Sequence, residues 1–145
     1  MIVVESLPVD QSAAGPTEHI EMDWHQRQKH RQKCTTNTGT EVALALPRGT
    51  LLSNNMVIYN TPERTVVVRS AQQSVIVVRA QSALQACKIA HHMGNWHRSM
   101  HVLDDMTILL EADGPLQSWL DQAGFTYTVE ERSDFQPNLY AHAHD

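Results

Sequence analysis

The sequence predicts an α+β chain in three parts: a small all-β domain of two short sheets over residues 1–71, a ferredoxin-like βαββαβ domain over 72–132, and a flexible histidine-containing tail over 133–145. Three observations carry that reading. Short apolar runs punctuated by turn residues fill the first half, with no helical period before residue 80. Two helical stretches then alternate with strand-like runs in the order β-α-β-β-α-β. After Arg132 periodicity disappears, and Pro137 and the last histidines follow.

From Met1 to His19 the residues Pro8, Gly15 and Pro16 leave room for at most one short strand and a loop. Between Trp24 and Lys33 the cations Arg27, Lys29, Arg31 and Lys33 recur at every second residue. On a strand they share one face, as a solvated edge or as a docking surface for an acidic partner. Glu41 to Leu46 alternates Val42, Leu44 and Leu46 with smaller or polar residues before the turn Pro47-Arg48-Gly49-Thr50. Asn54-Asn55 and Asn60-Thr61-Pro62 separate two further runs, Met56 to Tyr59 and Thr65 to Arg69.

Ser74 to Arg79 is a dense β-branched run of the kind that forms a buried strand. Ser82 to Met93 carries Leu84, Cys87, Ile89, Ala90 and Met93 at helical spacing, with Ser82 as N-cap and Gly94-Asn95 as the stop. His97 to Leu103 and Met106 to Glu111 read as strands joined by Asp104-Asp105. Asp113 caps a second helix with Pro115 in its first turn, Leu116, Trp119 and Leu120 as its apolar stripe, and Gly124 at its end. Phe125 to Glu131 is the last strand.

The formal net charge of -5 argues against nucleic acid as a partner, since phosphate binding needs a positive surface. No run of about 18 apolar residues is present to span a membrane, and Met1 to Pro8 lacks the basic start and apolar core of a signal peptide. A cytoplasmic location is therefore expected. The two cysteines, Cys34 and Cys87, lie far apart, which indicates neither a disulfide framework nor a thiolate zinc knuckle.

Four of the nine histidines, His91, His92, His97 and His101, fall within eleven residues, and His142 and His144 stand in the final Ala-His-Ala-His-Asp. Neutral imidazole is a common ligand for nickel, zinc and copper, so this density reads as a metal site. His91 and His92 end the first helix, where free carbonyls and the helix dipole also account for them. On an extended chain His97, Ser99 and His101 share one face.

Two blocks resemble a known family. Thr38-Gly39-Thr40-Glu41-Val42-Ala43-Leu44-Ala45-Leu46-Pro47-Arg48-Gly49 is similar to the Gly-x-Glu-Val-x-Leu-x-Leu-Pro-Arg-Gly strand and turn of the UreE family, urease accessory nickel metallochaperones. His92-Met93-Gly94-Asn95-Trp96-His97 resembles that family's His-Leu-Gly-Asn-Arg-His helix end. Trp96 stands where the family usually has arginine, and Arg98-Ser99-Met100-His101 departs from its usual Val-Pro-Leu-Gln. The resemblance implies a homodimer through the second domains, with His97 meeting its symmetry mate to bind Ni(II). It implies delivery to apo-urease through the pathway's GTP-hydrolysing accessory protein, and it maps tail ligands onto His142 and His144.

A two-fold axis presents any residue near it twice, so one histidine supplies two ligands. His101 is a further candidate, as a ligand extending the site or as a plain strand residue. Imidazoles alone also hold Zn(II) and bind Cu(II) more strongly than Ni(II), and dimers can pair into tetramers around a shared ion. Two rival readings stand beside the chaperone. A protein-interaction module makes the histidines incidental. A metal-dependent hydrolase needs an open coordination position and a general base, yet no His-Glu-x-x-His helix is present and the nearest acids, Asp104 and Asp105, read as a turn. No enzyme activity is expected.

Overall fold

The computed structural model describes residues 1–104 and 106–137 and divides into two compact units, Met1–Ala71 and the chain from Gln72 onward. The first unit contains β1 (Ile2–Val4), β2 (Thr17–Met22), α1 (Trp24–Gln28), β3 (Arg31–Thr35), β4 (Glu41–Ala45), β5 (Val57–Asn60) and β6 (Thr65–Ser70). They form two three-stranded sheets in the orders β1-β4-β3 and β2-β6-β5. Alternate residues of both sheets, among them Val4, Ile20, Met22, Val42, Leu44, Ile58, Val66 and Val68, share one buried core. Each such side chain contributes about 1.5–3 kcal/mol on burial.

Two features of this unit differ from expectation. The alternating cations do not lie on one strand, because Asp23 and Gln26 close a capping box that starts α1 at Trp24. Arg27 is carried inward by that helix, 2% exposed and with its guanidinium 5.4 Å from the Trp24 ring centroid. Only Arg31 and Lys33 remain as exposed cations on β3. The second difference is β2, which lies where a loop was expected and pairs in parallel with β6. Its inward positions are Glu18, Ile20 and Met22, and the carboxylate at the first of them hides the alternation.

Glu18 is provided for. Thr36 Oγ1 and Thr38 Oγ1 donate to its Oε1 at 2.7 and 2.5 Å, and Arg64 Nη1 lies 3.6 Å from its Oε2 while donating to Thr40 Oγ1 at 2.9 Å. These hydroxyl donors, led by Thr38 and aided by Arg64, hold the carboxyl down at about 2. Nearby, Gly15 packs so closely on the Thr61–Arg64 turn that a Cβ there would meet the Thr61 carbonyl oxygen at 2.5 Å.

The second unit contains β7 (Gln73–Arg79), α2 (Ala83–Asn95), β8 (Met100–Val102), β9 (Thr107–Glu111), α3 (Gly114–Ala123) and β10 (Tyr127–Arg132). Its antiparallel sheet runs β10-β7-β9-β8, the strand order of a ferredoxin-like fold. Ile76, Val78, Ile108 and Leu110 pack against Ile89 and Met93 of α2 and Leu116 and Leu120 of α3. Because side chains alternate along a strand, Val77 and Leu109, paired in register, face the opposite side, and His101, paired with Leu109, shares that side. The stripe expected on α2 shifts. Ile89 and Met93 are buried, whereas Leu84 is 64% exposed and Cys87 is exposed.

Both helices start as the sequence indicates. Ser82 Oγ accepts from the Gln85 N–H at 3.2 Å and Asp113 Oδ1 from the Leu116 N–H at 2.7 Å, each satisfying an otherwise orphaned donor. Gly124, at φ +77°, ends α3 in the left-handed conformation. In the β8–β9 turn Asp104 Oδ1 accepts from the N–H groups of Met106 and Thr107 at 3.0 and 2.9 Å, which lowers its pKa and commits it to the turn. Asp105 lies outside the described residues.

Candidate metal centre

The end of α2 builds the histidine cluster. The helix runs through Gly94 and Asn95, the expected stop, and closes one residue later at Trp96. The His97 N–H donates to the Gly94 carbonyl at 3.2 Å and the Arg98 N–H to the Met93 carbonyl at 2.9 Å. This double closure is a Schellman motif, and its left-handed position, usually glycine, is occupied by His97 at φ +53°. Such a conformation is uncommon for residues other than glycine, although histidine is among those enriched there. His97 is exposed. It stands outside β8, so His97, Ser99 and His101 do not share the face of one extended strand as expected.

Arg98 ties the turn down. Its Nη1 reaches Asp113 Oδ2 at 2.6 Å, linking the end of α2 to the start of α3, and its guanidinium lies 6.0 Å from the Trp96 ring.

The neighbouring imidazoles are held differently. His91 is exposed, with Nε2 3.2 Å from Asn95 Nδ2. His92 stacks on Trp119 at a centroid distance of 3.8 Å, nearly parallel, and meets Trp96 at 4.1 Å. Its Nε2 is buried without a hydrogen-bond partner, and burial, assisted by His91, pushes its pKa down so that the ring is neutral near pH 7. His91, His92 and Trp119, with Gln85, Lys88 and Phe125, line an open cavity of about 480 Å³. The sequence assigned Trp119 to the apolar stripe of α3 and gave no sign of this stack.

His101 sits half-buried on β8, where its Nδ1 accepts the Gln136 N–H at 3.2 Å. A neutral imidazole that accepts at Nδ1 carries its proton on Nε2. Ligation through Nε2 requires the opposite tautomer, so this bond and a metal at Nε2 exclude each other. The burial of His101 also lowers its pKa, opposed by Asp134 and supported by Arg132. His142 and His144 lie outside the described residues.

Among the described residues no three His, Cys, Asp or Glu side chains converge closely enough to hold a metal ion. A site based on His97 therefore needs donors from beyond the described residues of one chain. No described helix is long and apolar enough to cross a membrane.

A β-domain followed by a ferredoxin-like domain that presents an imidazole on a helix-ending turn defines a two-domain α+β architecture. Residues 3–71 match the family model of the UreE urease accessory protein N-terminal domain, and residues 73–145 match that of its C-terminal domain; the chain belongs to this family. It is 34% identical over 139 residues to the urease accessory protein UreE of Burkholderia orbicola strain AU 1054, covering 92% of this chain and 66% of that protein. Identity to the UreE of Burkholderia vietnamiensis strain G4 is 34% over 139 residues, covering 92% and 68%. For Burkholderia mallei strain SAVP1 it is 38% over 126 residues, covering 82% and 61%. The chain spans about two thirds of the length of these relatives.

Proposed function

We propose that this chain is a nickel metallochaperone for urease maturation that holds Ni(II) between two subunits through His97. The observation that carries the reading is the placement of His97, an exposed imidazole fixed by the backbone on the turn that ends α2. A two-fold axis beside that turn supplies two His97 imidazoles, and His142 and His144 supply further donors that join or leave without refolding the domain. A site with few ligands fixed by the fold suits a carrier that captures an ion and then gives it up.

The cargo is Ni(II), and the same imidazoles bind Zn(II) and Cu(II) in vitro, so selectivity rests on metal supply and on the receiving partner. That partner is the GTP-hydrolysing accessory protein bound to apo-urease, in the cytoplasm, and the β-domain (residues 1–71) is a partner- or peptide-binding platform. The second domain (72–132) dimerises, and dimers can pair into tetramers around a shared ion. Asp104, committed to its turn, is no free general base, which weighs against the hydrolase reading.

Nickel titration by calorimetry near pH 7 tests this on the intact chain, His97→Gly and a chain ending at Tyr140, with light scattering for oligomeric state. Glycine preserves the left-handed cap, so the variant removes the ligand and leaves the turn. Loss of the tight site with the dimer intact is expected, and truncation should weaken binding to a smaller degree. Undiminished binding without His97 would overturn the shared-histidine site, and a wild-type chain with no tight nickel site would leave the interaction-module reading. Affinity should also fall below about pH 6, where protons compete for imidazole.

A further inference from the structure

The segment after β10 was expected to be loose, yet Phe135 is fully buried and its ring centroid lies 6.5 Å from that of His101. β10 and β8 are opposite edges of the four-stranded sheet, so a chain that leaves β10 at Arg132 and bonds His101 at Gln136 crosses every strand between them. Four residues from 132 to 136, fully extended, span at most about 13–14 Å, so the crossing is short. It runs over the face that carries Val77, Leu109 and His101, the one turned away from α2 and α3. Its departure is fixed by Arg132, whose Nε and Nη2 donate to the two carboxylate oxygens of Asp134 at 2.9 and 2.8 Å.

We infer that residues 133–137 form a strap and that His101 is its anchor, a positioning residue that brings the C-terminal histidines to the β8 edge instead of ligating metal itself. With the strap seated, His142 hangs five residues from Pro137, within about 17 Å; released, it hangs ten residues from Arg132, within about 34 Å. Effective concentration falls as roughly the three-halves power of tether length, so seating the strap is worth about threefold in tail-dependent binding. The delivery part of this inference rests on the metal-site reading above, whereas the strap itself does not.

Two arms test it on the full chain. In the first, without metal, amide hydrogen exchange of Gln136 is followed by NMR in the wild type, His101→Asn and His101→Ala. Asparagine Oδ1 takes the place of Nδ1 as acceptor but offers no Nε2 to a metal. Protection in the wild type and His101→Asn, with exchange at least about tenfold faster in His101→Ala, is expected. Equal protection in all three, or in none, overturns the anchor. In the second arm, nickel affinity is measured for His101→Ala and His101→Asn, each with and without residues 138–145. His101→Ala should weaken binding about threefold in the full chain and not in the shortened one, and His101→Asn should leave both unchanged. A loss in both variants that persists in the shortened chain makes His101 a ligand and overturns the inference. A wild-type chain that binds no nickel overturns the metal reading alone, and the amide arm still decides the strap.

Discussion

Glu18 in the β-domain and the imidazoles at the end of α2 are both polar groups set among apolar neighbours, and the protein treats them in opposite ways. Glu18 accepts from two threonine hydroxyls and faces Arg64, so its charge is fully provided for. His92 buries an unpartnered Nε2 against two tryptophans, and His97 occupies a backbone conformation that glycine would adopt at lower cost. The first arrangement contributes stability. The second gives stability up, and residues held at such a cost are where a ligand is to be sought.

The contrast can be broken at four points. Replacing Glu18 by alanine strands two hydroxyls and removes the carboxylate facing a guanidinium and should cost about 3 kcal/mol, read by urea unfolding with amide exchange in β6 as the domain-specific probe. Because folding depresses this carboxyl, its contribution is present above the unfolded value of about 4.3 and is lost as pH falls through about 2. Glu18→Gln should flatten that acid limb. An unchanged limb would mean that the threonine cradle does not act on the charge.

At the α2 turn, His97→Gly should stabilise the second domain and His97→Val destabilise it, the two differing by about 2 kcal/mol in thermal unfolding. If glycine brings no gain, the turn is not strained and the comparison fails there. His92→Phe keeps the stack and removes the orphaned nitrogen, with a gain of about 1 kcal/mol. Folding depresses the His92 pKa, so the wild type keeps its stability above about pH 6.5 and loses it as pH falls further; the margin of His92→Phe should widen in that direction. The smallest effect belongs to Asp113→Asn, which keeps a capping oxygen for the Leu116 N–H and loses only the exposed pair with Arg98. A change below about 0.5 kcal/mol is expected, against about 1 kcal/mol for Asp113→Ala.

Much of the second domain is legible in the sequence because its signals are local: Ser82, Asp113 and Gly124 act within one turn of where they stand. The β-domain is less so. Strand β2 depends on parallel pairing with β6, distant along the chain, and on an inward carboxylate whose donors come from another segment. The helix at Trp24–Gln28 had a local sign in Asp23 and Gln26, outweighed by an alternation of cations that belongs partly to helix and partly to strand. At the candidate site the histidine density is plain, but tautomer, stacking and strap are not. They depend on Trp119, Phe135 and Gln136, which carry no mark of the role.

A side chain on a Schellman turn takes its direction from the main chain, not from contacts of its own. If His97 holds metal as proposed, filling and emptying the site would leave the helix end where it was, with no folding step between them. On the same proposal, release of an ion would be governed by the donors other than His97, and changing them would alter its residence time without moving the turn.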